Sequence, residues 1–456
     1  MRPLTLLLLA AALPAGPPRV ASAAVAFHEA IVNGTGGVEA MSRATFATTS
    51  PDGAFLYVVG RGDDSLVIFA RDPLDGGLDY VGRSTWTGST LPGGTIPDLD
   101  RPTGIAISPD GVHLYVTARR TSPSPSTIVV FARSAANGGL AYLGSLVNGI
   151  GGVDGIENAQ SLTMSADGGN VYVPGFDANA VLAFARDPST GALTPLDTET
   201  DGVGGVDGLE APQKVAESPD GAYLYCASQS RPAVTPGLGG VTVFARDAAG
   251  ALDFVELQQQ GSGGVDGLWA PRDVALSPDG KHLYTANYGR SNEMPPKPGG
   301  LAVFARDPVD GRLAFVDSYD ETEFNVTNPL SVAVSPDGRS VYLVAQGLAP
   351  LYDGSLVVLA RDAATGTLSL RQRFDDDVAG VDGLAGAFGL HAPADGANVY
   401  VSSEQEPLGD PLRGAVAVFT VPEPEATTAA ALLALAVLGA AQSAPSSQSR
   451  GGRKSV

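Results

Sequence analysis

The sequence predicts an all-β fold, a seven-bladed β-propeller with four antiparallel strands per blade and a ring closed by the N-terminal strand. The prediction rests on a phrase that recurs, on the strand pattern around each copy, and on one strand missing at the end of the last copy. The phrase is Ser335-Pro336-Asp337-Gly338-Arg339-Ser340-Val341-Tyr342-Leu343, and its aspartate recurs as Asp52, Asp110, Asp167, Asp220, Asp279, Asp337 and Asp395. A tyrosine follows five positions after each, from Tyr57 to Tyr400. A near-constant period of this size marks a repeat architecture.

One repeat shows the four strands. Leu330 to Val334 is a short apolar run, Ser335 to Gly338 carries turn chemistry, and Ser340 to Ala345 is a second apolar run. A third run, Ser355 to Ala360, follows a variable loop; the turn Arg361 to Gly366 then leads into Leu368 to Leu370. Third strands such as Leu301 to Ala305 and Val241 to Ala245 are almost unbroken apolar runs. That pattern fits blades covered on both faces. The fourth strand is visible six times, at Leu78 to Val81, Leu140 to Leu143, Leu193 to Leu196, Leu252 to Val255, Leu313 to Val316 and Leu368 to Leu370. After the seventh third strand, Ala415 to Phe419, none follows, so Ala24 to Glu29 is expected to pair with that strand and close the ring.

The ends predict targeting. Residues 1–23 read as a secretory signal peptide, with Arg2, the apolar run Leu4 to Leu13, and the small residues Ala21-Ser22-Ala23 before Ala24. Residues 24–420 form the propeller, and residues 421–456 form a tail with an apolar run from Ala426 to Ala441 and a basic end. That run is marginal for crossing about 30 Å of hydrocarbon, so any membrane association is expected only through this segment. Pro422, Glu423 and Pro424, the apolar run and the basic end together resemble the PEP-CTERM sorting signal of Gram-negative bacteria. The resemblance implies processing by an exosortase-type enzyme and a secreted, envelope or cell-surface location. A Ser/Gln-rich spacer, Gln442 to Ser449, departs from that pattern.

Composition excludes some partners. With 28 Lys plus Arg against 49 Asp plus Glu, the formal charge is −21, which repels nucleic acid. The lone Cys226 follows the repeat tyrosine of its blade and reads as a small buried hydrophobe. No phosphate loop, zinc-ligand cluster or serine nucleophile elbow is present, so no cofactor and no metal are expected.

The phrase Ser-Pro-Asp-Gly-x-x-Leu-Tyr-Val, joined to Phe-Ala-Arg-Asp as at Phe69 to Asp72 or Phe304 to Asp307, resembles the YVTN and lactonase-like group of seven-bladed propellers. That group includes bacterial 6-phosphogluconolactonase, and the resemblance spans residues 25–420. Lactonase-like relatives carry Pro-Arg-His at the start of one inner strand, and the matching residues here are Pro271-Arg272-Asp273. The arginine carries over from the resemblance and the histidine does not; Arg272 is expected to bind an anion or polarise a carbonyl, and Asp273, by its chemistry and place, to serve as a base. The alternative is that the two simply pair with each other. The leading expectation is a surface propeller that binds a small molecule, glycan or protein or serves surface structure; the alternative is a lactone hydrolase using Arg272 and Asp273.

Other candidates follow from position. Gln160, Gln213 and Lys214 occupy equivalent places in neighbouring blades and are expected to line a channel mouth as ligand-binding residues. His391 replaces the small residue found at Ala216, Ala275 and Ala333, and is either a ligand-binding residue or a satisfied core histidine. His113 and His282 take the variable slot two places before the repeat tyrosine, where exposed fillers are expected. The loops Gly149 to Gly155, Gly202 to Gly208, Gly261 to Gly267 and Ala379 to Gly383 share a Val-Asp-Gly motif. A calcium ring is disfavoured there. Equivalent atoms in neighbouring blades lie about 10 Å apart, whereas two ligands of one ion lie within about 5 Å. An Asp side chain bonding its own backbone is the simpler reading.

Overall fold

The computed structural model describes residues 24–85, 98–119, 125–229, 238–289, 296–348, 352–404 and 413–422. Residues 1–23, on which the expected signal peptide falls, and Glu423, Pro424 and the tail beyond them lie outside the described residues. The compact unit Val25–Val421 holds seven four-stranded antiparallel sheets. Successive inner strands neighbour each other around a ring, and the seventh, Ala387–His391, lies against the first, Ala44–Thr49.

The closing strand is Ala26–Val32. It pairs antiparallel with Ala415–Thr420, with Ile31 opposite Val416 and a bulge between Phe27 and Glu29, and supplies the fourth strand of blade seven. The other fourth strands run further than their apolar starts suggest, as at Leu368–Asp375, because their outer halves are polar and only partly buried. Second and third strands are buried almost throughout.

The repeat phrase joins neighbouring blades. Arg133, which ends the third strand of blade two, reaches back to blade one, where its Nε donates to Tyr57 Oη at 2.8 Å and its Nη2 to Asp52 Oδ2 at 2.8 Å. The Tyr57 hydroxyl donates in turn to the Gly138 carbonyl at 2.9 Å. The same latch recurs at Arg186 with Tyr115 and Asp110, at Arg246 with Tyr172 and Asp167, at Arg306 with Tyr225 and Asp220, at Arg361 with Tyr284 and Asp279, and at Arg71 with Tyr400 and Asp395. Burial alone would raise the aspartate pKa values. Bonds from the serine of the phrase, the backbone and the arginine override it and hold Asp110, Asp167 and Asp279 down at about 2.

His113 and His282 are therefore not exposed fillers. Both are buried, and their Nδ1 atoms lie 2.8 Å and 2.7 Å from the latch arginines Arg186 and Arg361. The slot faces the neighbouring blade's guanidinium, so it takes whatever can meet one. Asn170 and Asn398 accept from it, and the rings of Phe55 and Tyr223 lie under it.

One seam lacks the latch. The third strand of blade seven ends in Thr420, so Tyr342 of blade six receives no arginine from it. There Val25 N donates to Gln372 Oε1 at 2.7 Å and Gln372 Nε2 donates to Val25 O at 3.0 Å. Phe419 packs against Phe27 and Phe374 beside these bonds.

Candidate functional site at the channel mouth

Each inner strand opens the same way. In six blades the residue before it has positive φ, namely Arg43, Arg101, Ala211, Ala270, Asn328 or Gly386, and in blade three Asn158 does so before the bridge from Ala159 to Gly175. In six blades the pairing with the second strand then slips over the first residues, as between Pro271 and Asp273, leaving Arg272 as the extra residue of a bulge. A bulge re-aims side chains. It turns Phe46, Gln213, Arg272, Leu330 and Phe388 toward a small cavity of about 30 Å³ at the channel mouth, which Gln160, Lys214 and Asp273 also line. Five of the six residues singled out from the sequence thus meet in one place. Neither the left-handed entry nor the bulge has a clear signal in one copy of the sequence; the recurrent Ala/Asn-Pro before the inner strand was the available hint.

Arg272 and Asp273 do not pair. The Arg272 guanidinium lies 5.0 Å from the centre of the Tyr288 ring, and its Nη1 donates to Gln213 Oε1 at 3.3 Å. Its Nε is buried and makes no hydrogen bond. Asp273, 8% exposed, turns to blade six, where Oδ2 accepts from Ser331 Oγ at 2.6 Å and Val332 N at 3.1 Å. Its Oδ1 accepts from Val274 N at 2.9 Å. Burial pushes its pKa up, with Lys214 and these donors opposing. A carboxylate oxygen can accept two bonds, so Oδ1 retains one acceptor position.

The other predicted residues differ in how they are held. Gln213 is buried, and its Nε2 donates to Gln229 Oε1 at 3.2 Å. Gln160 Nε2 donates to the carbonyl and Oδ1 of Asn158 at 3.1 and 3.0 Å. The Lys214 ammonium lies 5.8 Å from the centre of the Phe46 ring. His391 stands apart, three residues beyond the mouth layer, or about 10 Å along the channel. Its Nε2 accepts from Thr49 N at 3.0 Å and lies 2.9 Å from Thr49 Oγ1. Burial, then the Arg71 charge, pushes its pKa down to about 4, so the ring is a neutral, satisfied acceptor at neutral pH.

Charged residues absent from the sequence-based candidates act on Arg119 together with Arg272. Arg119 is pushed down to about 10 by burial and then by the charges of Arg61 and Arg101, with Arg272 adding to them and Asp177 opposing. Arg61 and Arg43 both meet the buried Glu404. These residues end second strands or precede inner strands in three different blades, which is why no local motif brings them together.

The Val-Asp-Gly loops are built by a different residue from the one expected. In five blades the side chain before the loop, on Asn33, Asn148, Asp201, Gln260 or Asp376, accepts from the backbone N–H eight residues on. The loop valines, Val38, Val153, Val206, Val265 and Val381, are buried beneath. Asp266 and Asp382 also accept from the N–H of the next residue. Among the described residues, no three His, Cys, Asp or Glu side chains gather where they could hold a metal ion.

Comparison with known proteins agrees with this architecture. The family model described as lactonase, 7-bladed β-propeller, matches residues 83–206 and 239–374. The chain is 23% identical over 325 residues to a 6-phosphogluconolactonase of Klebsiella pneumoniae, covering 70% of this chain and 80% of that protein. It is 25% identical over 320 residues to the one of Erwinia tasmaniensis, covering 70% and 79%. Among solved structures, the periplasmic gluconolactonase of Pseudomonas aeruginosa superposes with a TM-score of 0.53 at 21% identity, covering 73% of this chain and 85% of that one. Hydrazine synthase of Kuenenia stuttgartiensis superposes with a TM-score of 0.56 at 18% identity, covering 81% and 95%. Identities this low show the shared fold alone, and two such different activities on it underline that. The family match, which spans more than half of the residues, places the chain in the lactonase family of seven-bladed β-propellers.

Proposed function

We propose that the protein is a lactone hydrolase acting at the channel mouth. The observation that carries this reading is the adjacency of Arg272, whose buried Nε has no hydrogen-bond partner, and the buried Asp273, both lining one cavity. The cavity of about 30 Å³ that Arg272, Asp273 and Lys214 share has room for a water molecule. Asp273 Oδ1 accepts a proton from that water as its oxygen attacks the lactone carbonyl. The carbonyl oxygen, gaining negative charge, takes the free donor of Arg272. Collapse of the tetrahedral intermediate breaks the ring C–O bond, and the proton on Asp273 passes to the leaving alkoxide, giving the open hydroxy acid. Lys214 favours the charged form of Asp273.

Arg272 and Lys214, which line that cavity, suit a lactone that carries an anionic group, and the name 6-phosphogluconolactonase borne by the relatives supports a phosphorylated sugar lactone. Ring opening followed in a pH-stat tests this. Phosphorylated gluconolactone is expected to have a higher kcat/KM than gluconolactone, with an advantage that shrinks as salt rises. Equal rates at low salt would remove the anion from the reading, and no hydrolysis of either would remove the hydrolase.

A second reading, a ligand-binding surface propeller without turnover, is favoured by Asp273 standing where the family pattern has histidine and by its carboxylate already accepting three bonds. It predicts saturable binding of the same lactones with no ring opening. We also infer export and surface delivery from the leader-like residues 1–23 and the Pro422-Glu423-Pro424 tail, as the sequence suggests. Processing by an exosortase-type enzyme belongs to the same proposal, and an increase in mass on blocking export, measured on the native protein, would support it.

A further inference from the structure

Below the mouth the channel widens into a chamber of about 470 Å³, which reaches the face of the Ser-Pro-Asp-Gly turns where the exposed Ala166 forms part of its rim. Its volume is that of a small-molecule site. Ile105, Ile107, Leu162, Met164 and Leu390 form much of its wall.

The polar side chains of the wall are already engaged. Thr163 Oγ1 donates to Val215 O at 2.5 Å, and Ser161 Oγ donates to Gln213 O at 2.8 Å. Ser331 is held by Asp273 and His391 by Thr49. Glu217, on the rim, accepts from Ala166 N at 2.7 Å. What remains for a ligand is mainly apolar surface and, at the inner end, the half-buried ammonium of Lys214 with its three donors beside the one open acceptor position of Asp273 Oδ1. Lys214 and Asp273 both line that end, and the lysine favours the charged form of the aspartate against the effect of burial. A ligand with its own charge would lose hydration and meet the like charge of one of the two.

We propose that this chamber is a second ligand site, meeting the lactone site at Lys214 and Asp273, and that it binds an uncharged aliphatic molecule bearing one carbonyl. The chain lies against Ile105, Ile107, Leu162, Met164 and Leu390, and the carbonyl oxygen accepts from Lys214. Lys214 and Asp273 line both cavities, but the proposal is read by binding in the chamber and the hydrolase by turnover at the mouth, so the failure of one is distinguishable from the failure of the other.

Calorimetric titration of the purified protein with octanamide and butanamide tests the proposal, with octanoate and octylamine as charged counterparts. Each buried methylene is worth about fourfold in affinity, so octanamide is expected to bind at least about tenfold tighter than butanamide and tighter than either charged compound. Ile107→Trp, which fills the chamber, is expected to weaken octanamide binding by at least about tenfold. Met164→Trp serves the same purpose if the first variant does not fold, as judged by its melting transition. Three results would each overturn the proposal: no binding of octanamide, equal binding of the two amides or tighter binding of a charged compound, and full affinity in a folded chamber-filling variant.

Discussion

The arginine that ends a third strand and the arginine near the start of the fifth inner strand both have buried donors, yet their surroundings assign them opposite work. Arg306 spends its donors on Tyr225, Asp220 and the Gly280 carbonyl. Arg272 keeps Nε unpaired and shares its mouth with Lys214. A buried donor without a partner is costly, and such costs persist at sites that meet a ligand. Arg306→Met is expected to lower stability by about 1–3 kcal/mol, because the buried Tyr225 hydroxyl and Asp220 lose their partner while the exposed side of Asp220 is screened by water. Denaturant unfolding of the purified variant checks this, and an unchanged midpoint would mean that the latch holds nothing. The latch was only half legible in the sequence. The repeating Asp, Tyr and Arg were visible, but their joining across blades was not, since the partners lie about 80 residues apart, and for that reason His113 and His282 read as surface residues.

The elements themselves were legible, because strand burial on two faces writes apolar runs and turns write Pro-Asp-Gly. The closing strand could be inferred from a missing partner, and its pairing with Ala415–Thr420 follows that inference. Its seam with blade six depends on Gln372 and on aromatic packing where the other six seams have an arginine latch. Removing residues 24–31 is therefore expected to lower the melting temperature markedly, since it bares the edge of Ala415–Thr420 and the faces of Phe419 and Phe374. Unchanged melting of that truncation would contradict the closure. The Val-Asp-Gly loops offer a finer test at this scale. Asp201→Ala leaves the Leu209 N–H without its acceptor and is expected to cost about 1–3 kcal/mol, whereas Asp207→Ala, whose side chain does not hold the loop closed, is expected to cost less; urea midpoints of the two variants separate them. The bulge and left-handed entry of the inner strands escaped the sequence because a one-residue register slip leaves no periodic trace.

Across the whole molecule, protonation links the latches to pH. The folded-state pKa values of Asp110, Asp167 and Asp279, at about 2, lie below those of an unfolded chain, so their contribution is complete above about pH 4 and is lost as pH falls toward 2. His391, at about 4, and the lowered His113 and His282 bind protons more readily when unfolded, so their contribution is lost earlier, as pH falls from about 6.5 toward 4. Melting temperature is expected to decline gently below pH 6.5 and steeply below 4, and a flat profile down to 3 would refute the linkage. Ring and blade number were legible at this scale because repetition multiplies a weak signal sevenfold. The charged residues around the mouth were not, because Arg43, Arg61, Arg119 and Glu404 come from strand ends and strand entries of different blades. Whether that mouth hydrolyses lactones is tested most directly by kcat/KM for ring opening of phosphorylated gluconolactone by the wild type, Arg272→Ala and Arg272→Lys. Turnover by the wild type that falls by at least about a hundredfold in Arg272→Ala and is partly restored in Arg272→Lys is the predicted result. No turnover by the wild type, or turnover that Arg272→Ala leaves intact, would contradict it.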